Sequence, residues 1–446
     1  MVTPLWGRET AAALANFDIS GRAMPISVVH WLARVKSAMA RVHADLGELP
    51  PDLAELIVRS ADEIASGRHD DQFTVDVFQT GSGTSTNMNV NEVISSLTGG
   101  RAHPNDDVNR GQSSNDAVPT AVRLAACEAI GTALLPALAE LGDALRAQAS
   151  QHADVVKPGR THLMDAVPVL LGDEFEGHAV QVDEAAEHVA DGLARLARVP
   201  LGGTAVGNGI GSHPDAANRA LALIDELGIL TVAPTSPTPR VARQGAHDAL
   251  VATSGALVVV AVALTKICND LRWMASGPDT GLAEIRLPEL QKGSSIMPGK
   301  VNPVICEAVI QVAARVIGNN TTVAVAGGQV NFELNGTIPV IADSVLESIL
   351  LLTNGAHALA RRCVNGLEVD VDRCRTLADR SLAIATALNP VLGYTRVEAI
   401  VREARASGRT IREVAIEAGV DADVVDHHLD LERMARGPDT RPAPSA

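Results

Sequence analysis

Apolar positions recur at helical spacing through most of the chain. From about residue 116, "DAVPTAVRLAACEAIGTALLPALAELGDALRAQAS" keeps that period for about thirty residues. Similar segments lie near 173–198, 243–275, 303–324 and 338–362. Each has too few polar residues to turn a full face to water, so each is expected to bury most of its surface. The pattern predicts a bundle of long helices, with apolar surface left over for a helical oligomer core. Residues 1–109 read as shorter helices between polar turns. "LPPDLAELIVRSADEIASG" is one of these, with Pro51 and Asp52 at its start and Gly67 at its end. "TGSGTSTNMNVNEV" reads as a loop passing into a helix near Asn91. A small helical part follows at about 367–430, and the tail "RGPDTRPAPSA" is expected to be disordered. Strands and helices do not alternate, which disfavours a doubly wound sheet. The expected fold class is all-α, mainly helical, in three parts: 1–109, 110–366 and 367–446.

Composition sharpens this picture. A chain of 446 residues is long for one core. Its 46% hydrophobic content is ample for a large interior, and its 2% aromatic content favours close packing of small aliphatic side chains. A net charge of −16 argues against a nucleic-acid partner. An anionic substrate would have to rely on locally placed cations and N–H groups. The five cysteines, Cys127, Cys268, Cys306, Cys363 and Cys374, form no CxxC pair and read as reduced core thiols. The start "MVTPLWGRET" shows no export signal, so a cytoplasmic location is expected. The longest apolar run, Ala256–Leu264, is too short to span a membrane and reads as a buried helix centre.

Candidate chemistry concentrates in four polar stretches. "GSSIMPGKVNPVICE" (Gly293–Glu307) holds a Gly-Lys pair. A phosphate loop would need glycine six residues before Lys300 and Ser or Thr after it; the chain has Ser294 and Val301 there. The spacing also fails for a nucleophile elbow. A polar loop between two apolar helices is more often functional than decorative. "TGSGTSTNMN" offers Ser82, Thr84 and Asn87. "GQSSNDAVPTA" sets Ser113, Ser114, Asn115 and Asp116 at a helix start, with Pro119 in its first turn, where a carboxylate would be well placed. Plain N-capping would explain that segment equally well. "GRTHLMDA" puts His162 beside Thr161 ahead of a helix; a lone histidine is usually structural.

Together these stretches resemble the fumarase/aspartase superfamily, and class II fumarases above all. "GSSIMPGKVNP" matches the superfamily signature. "LWG", "NFDIS", "HPNDDVN", "LGGTAVG", "NDLRWMASGP" and "NFELN" extend the resemblance over nearly the whole chain. It implies a three-domain helical fold with a tetrameric core of long helices, and active sites shared between three subunits of a homotetramer. It also implies a tricarboxylic-acid-cycle lyase without metal or organic cofactor, acting on fumarate and L-malate and needing neither nucleic acid nor membrane. By the same resemblance Ser294 would be the base, activated by N–H groups of its own loop. Lys300 and Asn302 would hold a substrate carboxylate, helped by Ser113, Ser114 and Asn115. Thr84, Thr161 and Ser82 would lie around the substrate. His162, paired with Glu307, would handle the proton of water. His103, Asn105 and Asp106 resemble an accessory dicarboxylate site. Aspartases share "GTSTNMN", "LPELQ" and "VNPV", but typically carry Gln in place of His162 and lack "HPNDDVN" and "NFELN". An ammonia-lyase, another lyase acting on a substituted succinate, or a catalytically retired structural relative are the alternatives. The chain departs from the family's common pattern at Arg110, Gly111, Asn208, Gly211, Gln329 and Val330, none of them a proposed catalytic position.

Overall fold

The computed structural model describes residues 4–437. The tail expected to be disordered lies almost entirely outside the described residues. The fold is mainly helical, and the only sheets among the described residues are three two-stranded antiparallel pairs. Long helices form where the apolar period runs unbroken. They span Ser114–Gln151, Leu171–Ala190, Asp248–Met274, Val304–Gly327 and Ile338–Arg362. The first contains one π-helical turn, Ile130–Leu134. Three helices, Ser114–Gln151, Asp248–Met274 and Ile338–Gly366, are long and apolar enough to cross a membrane by length and composition. The run Ala256–Leu264 is therefore the middle of a longer apolar helix. That helix is only partly covered: Leu257, Val260, Ala261 and Leu264 are buried, while Ala252, Gly255, Val259 and Val262 form an exposed stripe.

Contacts group the chain into two compact units. One comprises 1–138, 184–264 and 310–355; the other comprises 139–183, 265–309 and 356–446. In the first unit the Ile26–Asp45 helix is buried almost all round, by Trp31, Leu32, Val35, Met39 and Val42 among others. It packs against the helices Pro51–Ala65, Ser114–Ala129 and Ala216–Asp225. The Pro51–Ala65 helix begins as expected, with Pro51 at its N-terminus and Asp52 in its first turn. The 84–97 region departs from expectation. Its helix starts at Thr84, well before Asn91, because Gly83 takes a left-handed φ of 74° and turns the chain directly into it. Pro119 also departs: it sits inside the Ser114–Ala129 helix beyond the first turn.

In the second unit, the segment expected to lead from His162 into a helix is a β-hairpin, Val156–Thr161 paired with Met164–Leu170. Its apolar run is too short to declare its period, and residues 163–170 resemble the start of the following helix. The hairpin's base enters a core with the C-terminal helices, where Val156 and Leu170 join Ala378, Leu388, Ile400, Val414 and Val425. Arg160 donates to both oxygens of Glu284 at 3.0 and 2.8 Å, and Lys157 donates to Glu174 at 2.8 Å. Gripped at Lys157 and Arg160, the hairpin leaves its tip, 161–164, exposed.

Candidate active site

Three of the expected substrate-binding residues, Thr84, Ser113 and Ser114, line one cavity of about 430 Å³ in the first unit. Two helix starts build it. Ser82 and Thr84 share a hydroxyl hydrogen bond at 2.8 Å, and Thr84 shares another with Ser114 at 2.7 Å. Ser82 is buried and Thr84 half-buried. A Cβ on Gly83 would come within 2.7 Å of Val118, so glycine lets the two helix starts approach this closely. At the second start Ser113 caps the helix: its hydroxyl accepts from Asn115 N–H at 3.2 Å, and Asp116 accepts from Ser113 N–H at 2.9 Å. The capping expected of this segment is thus present, and the cavity lies against the same helix start. Asn115 is turned aside and donates to the Ala205 carbonyl at 2.9 Å.

Asp116 has a second task. Its other oxygen accepts from Gly202 N–H (3.0 Å) and Thr204 N–H (2.9 Å), pinning the "LGGTAVG" turn at the cavity wall. Thr204 is held there at a left-handed φ of 54°. Burial pushes the Asp116 carboxyl up to about 6, against the pull of these N–H donors.

Sequence reasoning missed what lies behind the cavity. Lys36, fully buried on the Ile26–Asp45 helix, donates to Asn87 Oδ1 at 2.9 Å, Asn109 Oδ1 at 3.2 Å and Gln112 Oε1 at 3.5 Å. All three amides line the cavity. The available signal was a lysine set off the helix's polar stripe, which His30, Arg34, Ser37, Arg41 and Asp45 form at helical spacing.

The remaining candidates lie in the second unit. Thr161 and His162 occupy the exposed hairpin tip, where His162 and Leu163 take φ of 56° and 60°. The His162 side chain makes no hydrogen bond to the described residues of its own chain. Glu307 is exposed in the first turn of the Val304–Gly327 helix. Ser294, Lys300 and Asn302 share the loop before that helix. Gly293 N–H donates to the Lys300 carbonyl at 3.0 Å, and the Asn302 amide donates to the Gly293 carbonyl at 2.7 Å, so the loop closes on itself. Ser294 Oγ accepts from the N–H groups of Ile296 (3.2 Å) and Met297 (3.0 Å). Lys300 is exposed at the loop's far side, with Ile296 and Met297 also exposed.

His103, Asn105 and Asp106 lie on an exposed turn in the first unit, where His103 Nδ1 accepts from Asp106 N–H at 3.1 Å. All five cysteines are free and buried. Among the described residues, no group of three or more His, Cys, Asp or Glu side chains is placed to hold a metal ion.

Known proteins resemble this chain along most of its length. A lyase family profile matches residues 1–318, and a fumarase C C-terminus profile matches 384–436. A class II fumarate hydratase of Mycobacterium tuberculosis is 50% identical over 440 residues, covering 97% of this chain and 93% of the relative. The crystal structure of a class II fumarase from Schistosoma mansoni superposes with a TM-score of 0.94 at 35% identity, covering 98% of this chain and 96% of the other. A structure described as fumarate lyase:delta crystallin from Brucella melitensis, bound to cobalt, has a TM-score of 0.92 at 43% identity, covering 97% and 96%.

Proposed function

The chain belongs to the lyase family of the class II fumarate hydratases, and we propose that it interconverts fumarate and L-malate with Ser294 as the base. In the dehydration of malate a proton leaves the carbon next to a carboxylate. The electron pair spreads into that carboxylate as an aci-carboxylate, and the hydroxyl group then departs with a proton as water. The first step needs a base stronger than an ordinary serine and fixed positive charge at the carboxylate.

The observation that carries the base assignment is the pair of backbone N–H groups aimed at Ser294 Oγ. Donors fixed in this way favour the alkoxide over the neutral hydroxyl. Lys300 and Asn302 bind the carboxylate that receives charge, and Ser113, Ser114 and Asn115 bind at the Ser114 helix start. Ser82, Thr84 and Thr161 surround the substrate. His162 delivers the proton to the departing hydroxyl, with Glu307 behind it fixing the tautomer. His103, Asn105 and Asp106 form an accessory dicarboxylate site. The reaction calls for no metal or organic cofactor.

The site is assembled from three subunits of a homotetramer. Two observations support this: the exposed apolar stripes on long helices, and a His162 side chain with no hydrogen-bond partner among the described residues of its own chain. The exposed stripes face other copies, not lipid. The same reading divides the chain into parts at 1–109, 110–366 and 367–446, and places the enzyme in the cytoplasm, serving the tricarboxylic acid cycle. Absorbance in the fumarate band tests the reaction, with malate and aspartate as rival substrates. Malate is expected to generate fumarate and aspartate is not; activity on aspartate alone overturns the assignment. Ser294→Ala is expected to lower kcat at least a thousand-fold, on the order seen when a unit of the catalytic machinery is lost, with assembly intact. A near-normal rate would remove Ser294 as the base.

A further inference from the structure

The cavity that holds Thr84, Ser113 and Ser114 has no charged side chain among its described lining residues. Its positive charge lies one layer deeper. Lys36 Nζ offers three donors, and three amide oxygens, those of Asn87, Asn109 and Gln112, take them up. The same three amides form part of the cavity wall. Asn87 Nδ2 donates to Asn109 Oδ1 at 3.1 Å, and Asn109 Nδ2 donates to the Gln112 carbonyl at 3.1 Å, so the wall is one connected network anchored on the lysine. Among the described residues no carboxylate lies within hydrogen-bond reach of the ammonium. A buried cation held only by dipoles is poorly compensated, and an anion in the adjoining cavity would complete it.

We infer that Lys36 is the buried counter-charge of the dicarboxylate site, acting through Asn87, Asn109 and Gln112 as a positioning residue and taking up a proton when the substrate dianion enters. The inference rests on the dicarboxylate reading above. Burial lowers the lysine to about 7, opposed by the charge of Asp116. Around pH 8 the empty site therefore holds mostly the neutral amine, and around pH 6 the ammonium. A dianion raises the lysine's affinity for its proton, so uptake is large at the higher pH and small at the lower.

Other charges near this helix have partners of their own. Glu92 accepts from Thr10, Asp62 from Ser37, Asp107 from His103 N–H and Asp45 from Arg219, while Arg123 donates to the Arg198 carbonyl and Glu128 accepts from Trp31. His43, on the Lys36 helix itself, is hydrogen-bonded to Glu48 at 2.7 Å. Asp116 is the competing proton acceptor. Set at about 6, it would give uptake that falls from pH 6 to pH 8, the opposite trend.

Titration calorimetry of the whole enzyme with succinate, in buffers of different ionisation enthalpy, counts the protons. The expected result is close to one proton per site at about pH 8 and a small fraction at about pH 6. His162→Asn keeps this uptake. Lys36→Met loses it and raises the KM for malate roughly ten-fold or more, with a smaller change in kcat. Binding without uptake at about pH 8, or uptake unchanged in Lys36→Met, overturns the inference. The wild-type titration stands alone if that variant does not fold. An enzyme that turns over malate but binds succinate without proton uptake sinks this inference and leaves the fumarate hydratase reading intact. Failure to turn over malate sinks that reading instead.

Discussion

His247 is a buried neutral imidazole just ahead of the Asp248–Met274 helix. Its carbonyl accepts from Leu250 and Val251, while its Nδ1 is buried without a hydrogen bond among the described residues. Burial, reinforced by Arg123, lowers it from 6.5 to about 3. The unfolded chain therefore binds the extra proton first as pH falls. Stability contributed by the neutral ring is full above about 6.5 and drains away toward 3. Wild type is expected to lose about 2 kcal/mol by pH 5 through this residue. His247→Gln should flatten that part of a urea-midpoint against pH curve, and an unchanged slope would count against it. The residues of the signature loop were legible in sequence because Ser294, Lys300, Asn302 and Glu307 stand in one contiguous string. Lys36, His247 and the second task of Asp116 were not, because their chemistry comes from what surrounds them in space. Lys36 touches Asn87, Asn109 and Gln112, more than fifty residues away.

At the scale of elements, the long helices declared themselves. The apolar period gave 338–362 for a helix that spans Ile338–Arg362. The hairpin did not, because Val156–Thr161 and Met164–Leu170 are too short for a two-residue period to stand out against the helix that follows. The signature loop owes its shape to Gly293. A Cβ there would sit 2.1 Å from the Lys300 carbonyl oxygen, the atom that closes the loop. Gly293→Ala is expected to force the loop open and cut kcat at least ten-fold, a misplacement effect. The melting temperature should barely move, since the loop is exposed. A variant with normal kcat would show that loop closure does not position the base.

For the whole molecule, composition carried one lesson that the folded chain repeats. Helices too apolar for water leave exposed stripes, with Val259 and Val262 on one long helix and Ile317 and Val325 on another. A charge in such a stripe should be tolerated by the single chain and not by an assembly. For the tetramer proposed above, Val262→Glu is expected to shift the light-scattering mass to smaller species, with helical circular dichroism retained. A tetramer of unchanged mass would place the subunit contacts elsewhere. Which residues stay uncovered was not legible from residue order, because the stripe emerges only once the helix is folded and its other face is covered.

His162 sits on a hairpin tip and Ser294 on a separate loop, so in a site shared among subunits the two need not come from the same polypeptide. The consequence is genetic. Two alleles, one carrying His162→Asn and one carrying Ser294→Ala, would each encode a dead enzyme. Expressed together they would form mixed tetramers in which some sites receive a sound histidine from one parent and a sound serine from the other. Partial activity should then appear in the co-expressing cell, and the two lesions should complement across chains yet fail when combined in one.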